Sequence, residues 1–196
     1  MTLEGGGACN VAHNLKAVGC KVYVAGVAAC DEAGNWLRKN FVERGINADC
    51  IISEINRPTT LKTRCATKGQ QLLRVDTENA EEIQTESQEV ILGFIKKHAE
   101  EIDGVIMSDY RKGVFNSADF VKRIINLCHN SNIIVATDSK SRNIAAFENI
   151  DIVKPNNIEL ENAVDIKITD EDSLNRAGEL YLEKSKAKVP SRCGIY

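Results

Sequence analysis

Residues 104–113 read GVIMSDYRKG, and this stretch decides the fold class. The continuous apolar run at 104–108 is typical of a strand buried inside a parallel sheet, and polar residues follow it at once. Helical periodicity precedes the strand at about 86–101 and follows it from 117 to about 128. The order helix, strand, helix predicts an α/β architecture.

The same alternation continues on both sides of this strand. Further strands are predicted by short apolar runs at 21–28, 48–53, 133–137 and 151–153. Further helices are predicted by 3.6-residue periodicity at 10–18, 31–44, 156–164 and 170–186. Alternation of this kind predicts a parallel sheet buried on both faces, with ligands gathered at the carboxyl ends of its strands.

Residues 58–67 and 70–78 interrupt the alternation with two runs that are rich in β-formers and alternate in polarity. Lys68 and Gly69 between them predict a β-hairpin with one solvated face. We expect this hairpin, within residues 55–79, to form a small β lid. The 196 residues suit one sizeable core, so we expect a single partial domain over residues 1–196.

Charge and cysteine usage exclude several classes of protein. The chain has 25 basic and 28 acidic residues, with no basic block suited to nucleic acid. It lacks a signal-peptide pattern and any apolar run of about 20 residues, so we expect a cytoplasmic protein without a membrane partner. Its seven cysteines form no CxxC pair, and their odd number argues against a complete disulfide framework.

Three glycines, Gly5 to Gly7, lead directly into the first predicted helix. The spacing is neither that of a dinucleotide-binding loop nor that of a P-loop. A bare backbone here would let a small polar ligand approach, with N–H groups of the helix and the Asn10 amide as partners, and sugar hydroxyls suit that arrangement. The equally weighted alternative is a tight turn that merely lets helix and sheet touch.

Polar residues after three predicted strands are further candidates. Asp109 could accept a hydrogen bond from a sugar hydroxyl, although capping the next turn is the commoner use of such an Asp. Lys140 could contact a phosphate, or simply be solvated. Asn156 and Glu159 could together hold a hydrated Mg²⁺ near a nucleotide phosphate, but we favour a helix-capping pair.

Basic and polar side chains on the predicted lid form the last candidate group. Lys62, Arg64 and Arg74 alternate with apolar neighbours, so they could share a face with Gln71 or Asp76 and meet an anionic substrate. A solvated strand face is the default alternative. The three histidines are far apart in the sequence, and we expect no direct metal site.

Taken in order, these motifs resemble those of a known family. The motifs are Gly-Gly-Ala-x-Asn-Val-Ala, QQLLRVD, SDYRKG, Asp-x-Lys and Pro-Asn-x-x-Glu. Their order resembles the ribokinase-like sugar kinases, and most of all the bacterial D-glycero-β-D-manno-heptose 7-phosphate kinases. The resemblance implies a three-layer α/β/α sandwich with a parallel sheet and a β lid.

The resemblance also implies a reaction and its site. An ATP- and Mg²⁺-dependent kinase would phosphorylate the anomeric hydroxyl of heptose 7-phosphate, in the synthesis of ADP-heptose for the lipopolysaccharide core. The residues implied to bind the sugar phosphate are Gly6, Gly7, Asn10, Arg64, Gln71, Arg74 and Asp109. Those implied to lie near the nucleotide and Mg²⁺ are Lys140, Asn156 and Glu159. A homodimer is left open.

Two motifs of such kinases have no counterpart in residues 1–196. One is a strand that ends in a sugar-binding Asp, and the other is a Gly-Ala-Gly-Asp segment that supplies the catalytic base. We therefore expect a chain truncated at both ends, with no catalytic residue of its own and no activity alone. The alternatives are a kinase for fructose 6-phosphate or a nucleoside, and a non-catalytic sugar-phosphate-binding remnant.

Overall fold

A computed structural model describes residues 3–67, 70–139, 147–187 and 189–190. The helices are α1 Ala8–Ala17, α2 Glu32–Glu43, α3 Thr85–Lys97, α4 Ala118–Asn130, α5 Asn157–Val164 and α6 Glu171–Ser185. The strands are β1 Tyr23–Val27, β2 Asn47–Ile52, β3 Leu61–Thr67, β4 Gln70–Thr77, β5 Gly104–Asp109, β6 Ile134–Ser139, β7 Ile152–Val153 and β8 Val189–Pro190. The chain forms two compact units, Met1–Ile91 with Lys112–Asn116, and Leu92–Arg111 with Ser117–Tyr196.

The first unit is built on the parallel pair β1 and β2, against which α1 and α2 pack. Asp31 begins α2 as expected, because its carboxylate accepts a hydrogen bond from the Gly34 N–H at 2.8 Å. After α2 the chain turns at Gly45, whose φ is 67°. The buried core of this unit consists of Cys9, Ala12, Val22, Phe41 and Ile46.

The antiparallel hairpin of β3 and β4 is the predicted lid, and it too belongs to the first unit. The register pairs Lys62 with Asp76 and Arg64 with Arg74, which places the charged side chains on one face. Cys65 and Leu73 are partners on the other, apolar face. All of β4 and all of β3 except its first residue are exposed, so the lid has no core of its own. The expected turn at Lys68 and Gly69 lies outside the described residues.

The ends of the lid are held by the loop that contains Gly113, which also belongs to the first unit. The Ile83 N–H donates to the Gly113 carbonyl oxygen at 3.2 Å, and the Asn116 side chain donates to the Ala80 carbonyl oxygen at 2.9 Å. Gly113 has a φ of 90°, and a methyl group on it would collide with the Glu81 carbonyl oxygen. A glycine is therefore required at this position.

The second unit contains a parallel sheet in the order β5-β6-β7-β8, in agreement with the predicted α/β class. Ser117 caps α4, whose buried residues are Phe120, Val121, Ile124, Ile125 and Cys128. Next to the sheet, α5 and α6 share a small apolar cluster around Leu160, Val164 and Ala177. Among the described residues, no helix is long and apolar enough to cross a membrane.

The expectation that the later strands are buried on both faces is wrong for β5 and β6. Met107 and Val135, on one face, are buried. Ile106 and Ile134, on the other face, are 44% and 55% exposed. Side chains alternate between the faces of a sheet, and the described residues leave the second face partly open to solvent. A continuous apolar run in the sequence does not reveal this difference.

Replacing Gly113 by alanine should lower the free energy of unfolding by about 1–3 kcal/mol, because of the positive φ and the collision with Glu81. Urea unfolding measures the change. Gly178→Ala is the control, since a methyl group there meets no atom within 4 Å and Gly178 lies inside α6. We expect this control to stabilise the protein by up to about 1 kcal/mol. Equal unfolding midpoints for the two variants would contradict the role of Gly113.

Candidate active site

The three glycines before α1 have three different environments. A methyl group on Gly5 would collide with the Cys9 sulfur, so packing requires this glycine. A methyl group on Gly6 would meet no atom within 4 Å. Gly7 is the N-cap of α1 with φ 52° and ψ −127°, a backbone conformation that favours glycine. The packing alternative thus applies to Gly5, while Gly6 has space for a ligand beside it.

Asn10 lies in the first turns of α1 with an exposed side chain. Its amide has no hydrogen-bond partner in the described part of the chain, whereas its backbone N–H donates to the Gly7 carbonyl oxygen at 3.0 Å. The N–H groups of Cys9 and Val11 likewise donate to carbonyl oxygens of the three-glycine segment Gly5–Gly7, which we call the glycine turn. The expectation that helix N–H groups face a ligand is therefore wrong for these three residues, and the Asn10 side chain is the group presented to solvent.

The charged face of the lid carries two arginines in different environments. Arg74 Nε donates to Asp76 Oδ1 at 2.8 Å, and Lys62 Nζ lies 2.9 Å from the other carboxylate oxygen. Hydrogen bonds from Arg74 and Lys62 hold the pKa of Asp76 well below its ordinary value. Arg64, directly opposite Arg74, has no carboxylate partner among the described residues. The guanidinium groups of Arg64 and Arg74 therefore lie on the same face of the lid. Gln71 lies beside the β-bulge near the turn end of the hairpin.

A buried ion pair lies where the chain enters the lid. Glu54 and Arg57 are 9% and 8% exposed, and Arg57 Nε donates to Glu54 Oε2 at 2.6 Å. Burial acts to raise the pKa of Glu54, but hydrogen bonds from Ser87, the Gln84 N–H and Arg57 outweigh it, so the net pKa is lowered. The pair therefore stays charged inside the protein at neutral pH.

In the second unit, Asp109 ends β5 at the carboxyl edge of the sheet, as predicted. Its side chain is buried, and Oδ1 accepts a hydrogen bond from the Arg111 N–H at 2.8 Å. Arg111 has a φ of 58°, in the left-handed region. Asp109 thus makes the turn-capping hydrogen bond of the structural alternative. This bond fixes the orientation of the carboxylate at the strand end.

Neighbouring strands bring more polar groups to the same edge. Asp138, in β6, is the register partner of Ser108, whose buried hydroxyl has no hydrogen-bond partner among the described residues. Lys154 follows β7, and its Nζ lies 3.9 Å from Asp138 Oδ1. Lys140, predicted to contact a phosphate, lies outside the described residues. The structure thus places Asp109, Asp138 and Lys154 at one edge of one sheet.

Asn156 and Glu159 form the capping box that we favoured from the sequence. Asn156 Oδ1 accepts from the Glu159 N–H at 2.8 Å, and Glu159 Oε2 accepts from the Asn156 N–H at 2.9 Å. Among the described residues, no group of three or more His, Cys, Asp or Glu is arranged to hold a metal. The capping box thus uses one oxygen of the Glu159 carboxylate and the side-chain oxygen of Asn156.

The family follows from comparison with known proteins. The model of the pfkB family carbohydrate kinases matches residues 3–189. The chain belongs to the pfkB family. Its relatives include the bifunctional protein HldE of Helicobacter pylori strain Shi470, 33% identical over 94% of this chain and 40% of that protein. HldE of Geobacter sulfurreducens is 36% identical over 91% of this chain and 36% of that protein. The chain thus spans about two fifths of these pfkB relatives.

Solved structures confirm the predicted fold. Ribokinase from Arabidopsis thaliana, complexed with ribose and ATP, covers 97% of this chain with a TM-score of 0.73 and 16% identity. The tetrameric inhibited form of phosphofructokinase-2 from Escherichia coli covers 95% of it with a TM-score of 0.70 and 20% identity. The chain covers 60% of each of those two chains. This pfkB chain therefore has the ribokinase-like fold that its motifs predicted.

Sequence reasoning missed the charged groups at the base of the lid. Glu54 and Arg57 precede Pro58 in a short polar stretch, and no spacing rule separates them from solvated charges. Lys112, within the predicted SDYRKG motif, forms an ion pair with Glu78 at 2.6 Å. Arg57 and Lys112 contact groups between residues 78 and 82, which are distant from both in sequence. These contacts therefore come only from the tertiary structure of this pfkB chain.

The Asn156 cap gives a direct prediction. Asn156→Ala should lower the free energy of unfolding by about 1 kcal/mol, because the Glu159 N–H loses its acceptor. Asn156→Asp should preserve stability, since Asp caps helices about as well as Asn. Thermal and urea unfolding of the two variants check this. Equal stability of Asn156→Ala and wild type would show that the capping box contributes nothing.

Proposed function

We propose that this pfkB chain binds the sugar phosphate and the nucleotide of a heptose 7-phosphate kinase. The reaction would transfer the γ-phosphoryl group of ATP to the anomeric hydroxyl, on the route to ADP-heptose and the lipopolysaccharide core. Relatives named HldE, at 33–36% identity over about 90% of the chain, support this choice within the family. The order of the motifs, which resembles that of heptose 7-phosphate kinases, supports it further.

The pair of arginines on the lid supports the proposal that the acceptor sugar already carries a phosphate group before the reaction. Arg64 and Arg74 are direct cross-strand partners, and like charges placed opposite each other destabilise a hairpin. Asp76 neutralises Arg74, but no carboxylate of the described residues neutralises Arg64. A phosphate group bound to Arg64 would complete the charge balance through bidentate hydrogen bonds. Gln71 would add an amide partner at the turn end of the lid.

The glycine turn would bind the sugar itself, and the family resemblance implies that Asp109 is a further sugar-binding residue. A methyl group on Gly6 would meet no atom within 4 Å, so a hydroxyl group can approach the backbone there, and the exposed Asn10 amide can both donate to and accept from hydroxyl groups. Asp109, oriented by its bond to the Arg111 N–H, would accept a hydrogen bond from another hydroxyl. Each group would hold the acceptor in a fixed orientation, which phosphoryl transfer requires.

The nucleotide would lie towards the residues that follow β6 and β7. Lys154 provides a positively charged side chain in this region. We propose Lys140 as a second phosphate contact. Mg²⁺ would neutralise charge on the ATP phosphates, with Glu159 near its hydration shell. No residue of the chain is assigned the role of catalytic base, and absence of turnover by the chain alone stays a prediction. Location in the cytoplasm and a homodimer also stay predictions.

Arg64 gives the test of the acceptor. Calorimetric titration should show saturable binding of heptose 7-phosphate, and Arg64→Gln should weaken it by about tenfold or more, because a charge-assisted contact to phosphate is lost. Binding of heptose without the phosphate should be unaffected. Lys39→Gln is the control, because it removes the same charge from an exposed site on α2.

The outcomes separate the alternatives. Preference for fructose 6-phosphate or a nucleoside over heptose 7-phosphate would replace the proposed acceptor by one of these. Binding of heptose 7-phosphate without turnover of ATP, also by a longer chain that includes the family motifs not found in residues 1–196, would favour a sugar-phosphate-binding protein. No binding of any sugar phosphate would overturn the proposal.

Gly6 gives a second test that does not depend on the phosphate. Gly6→Ala should weaken binding of heptose with and without the phosphate, while leaving stability unchanged, because its methyl group meets no protein atom. Gly5→Ala is the contrast, since it should lower stability by about 1–3 kcal/mol through overpacking against Cys9. Unchanged sugar binding by Gly6→Ala would remove the glycine turn from the site.

A further inference from the structure

In the part of the chain that the structure describes, the contacts that hold the lid lie at its base. We define the lid base as residues 54–59, which lead into β3, and residues 78–84, which follow β4. An exposed two-stranded hairpin is marginal by itself, and β3 and β4 contribute no buried side chain. The direction in which Arg64 and Arg74 point is therefore set by the contacts of the lid base.

Arg57 joins the two halves of the lid base. Its guanidinium Nη1 donates to the Asn79 carbonyl oxygen at 3.2 Å. Nη2 donates to the carbonyl oxygens of Glu81 and Glu82 at 2.8 and 3.0 Å. One side chain before β3 thus donates to three backbone carbonyl oxygens after β4. The planar fork of arginine suits several acceptors at once, which a lysine cannot reproduce.

Glu54 fixes the guanidinium in place. Its Oε2 accepts from Arg57 Nε at 2.6 Å, while Oε1 accepts from the Gln84 N–H at 2.7 Å. The carboxylate therefore contacts both halves of the lid base as well. Because both side chains are more than nine-tenths buried, the pair exchanges little with water and holds one geometry.

The rest of the lid base points to the same role. Thr59 donates through its hydroxyl to Asp31 Oδ1 at 2.7 Å, which anchors the entering strand to the N-cap of α2. Lys112 anchors the leaving strand through Glu78. These two contacts each hold one half, whereas Arg57 is bonded to both.

We propose that Arg57 is a positioning residue that holds the lid, and with it Arg64 and Arg74, at the angle needed to bind the sugar phosphate. This inference rests on the proposed function, since the lid is taken to bind that substrate. Arg57 itself would not touch the substrate, because its side chain is buried and four of its five N–H donors are bonded to the lid base. Its loss should loosen the lid and leave the nucleotide residues of the second unit unaffected.

The first arm of the test is amide hydrogen exchange, which needs no ligand. Arg57→Gln and Arg57→Lys should raise exchange about tenfold or more in peptides covering residues 58–84, with no change in peptides covering β5 and β6. Arg38→Gln is the matched control, because Arg38 donates to the carbonyl oxygens of Ala28 and Ala29 within the same unit but not to residues 78–84. Should Arg57→Gln fail to fold, Arg57→Lys decides the comparison, since it keeps the charge beside Glu54.

The second arm is calorimetric titration with heptose 7-phosphate and, separately, with ATP. Both Arg57 variants should bind heptose 7-phosphate about tenfold more weakly or worse, with the Kd for ATP within about twofold of wild type. General destabilisation would weaken both ligands alike. Arg38→Gln should not separate the two affinities.

The two arms distinguish the possible failures. A wild-type chain that does not bind heptose 7-phosphate would overturn the proposed function, and the exchange arm would still decide whether Arg57 holds the lid. Wild-type binding with unchanged affinity in both Arg57 variants would overturn the positioning role and leave the proposed function standing. Unchanged lid exchange in the Arg57 variants, or an equal rise in Arg38→Gln, would likewise overturn it.

Discussion

Parallel pairing of strands is the constraint on which the rest of this chain depends. β5, β6 and β7 run in the same direction, so the residues that follow them are brought to one edge of the sheet. Asp109, Asp138 and Lys154 meet there although they are far apart in sequence. Helix α4, between β5 and β6, returns the chain to the opposite edge, which leaves the carboxyl edge free for polar side chains.

Local hydrogen bonds prepare the candidate site residues. Asp109 is bonded to the Arg111 N–H, and Asn156 and Glu159 bond each other in a capping box. Such bonds were the structural alternatives to a functional role, yet they also fix the orientation of groups that a ligand would meet. A side chain already held in place loses less conformational entropy when it binds, so the structural and functional roles are compatible.

The lid follows a different physical rule from the sheet. Its strands bury no apolar face, so it takes its stability and direction from polar contacts at its two ends. Gly113 allows the 112–116 loop to approach the Glu81 carbonyl oxygen, and Arg57 bonds the backbone on the same side. A small element that depends on a few buried charged contacts can be moved by changing one side chain. A strand that packs within a sheet cannot be moved in this way.

The sequence by itself determined the order of helices and strands and the lid hairpin, because periodicity, caps and turn residues act over a few neighbouring positions. The order of its short motifs indicated the family by resemblance. It predicted the Asp31 and Asn156 caps for the same reason. Only the tertiary structure separated Gly5 from Gly6, since the distinction depends on which glycine contacts Cys9. The burial of the Glu54–Arg57 pair against residues 79–84 and the open face at Ile106 likewise depend on segments tens of residues apart, whose approach no local pattern encodes.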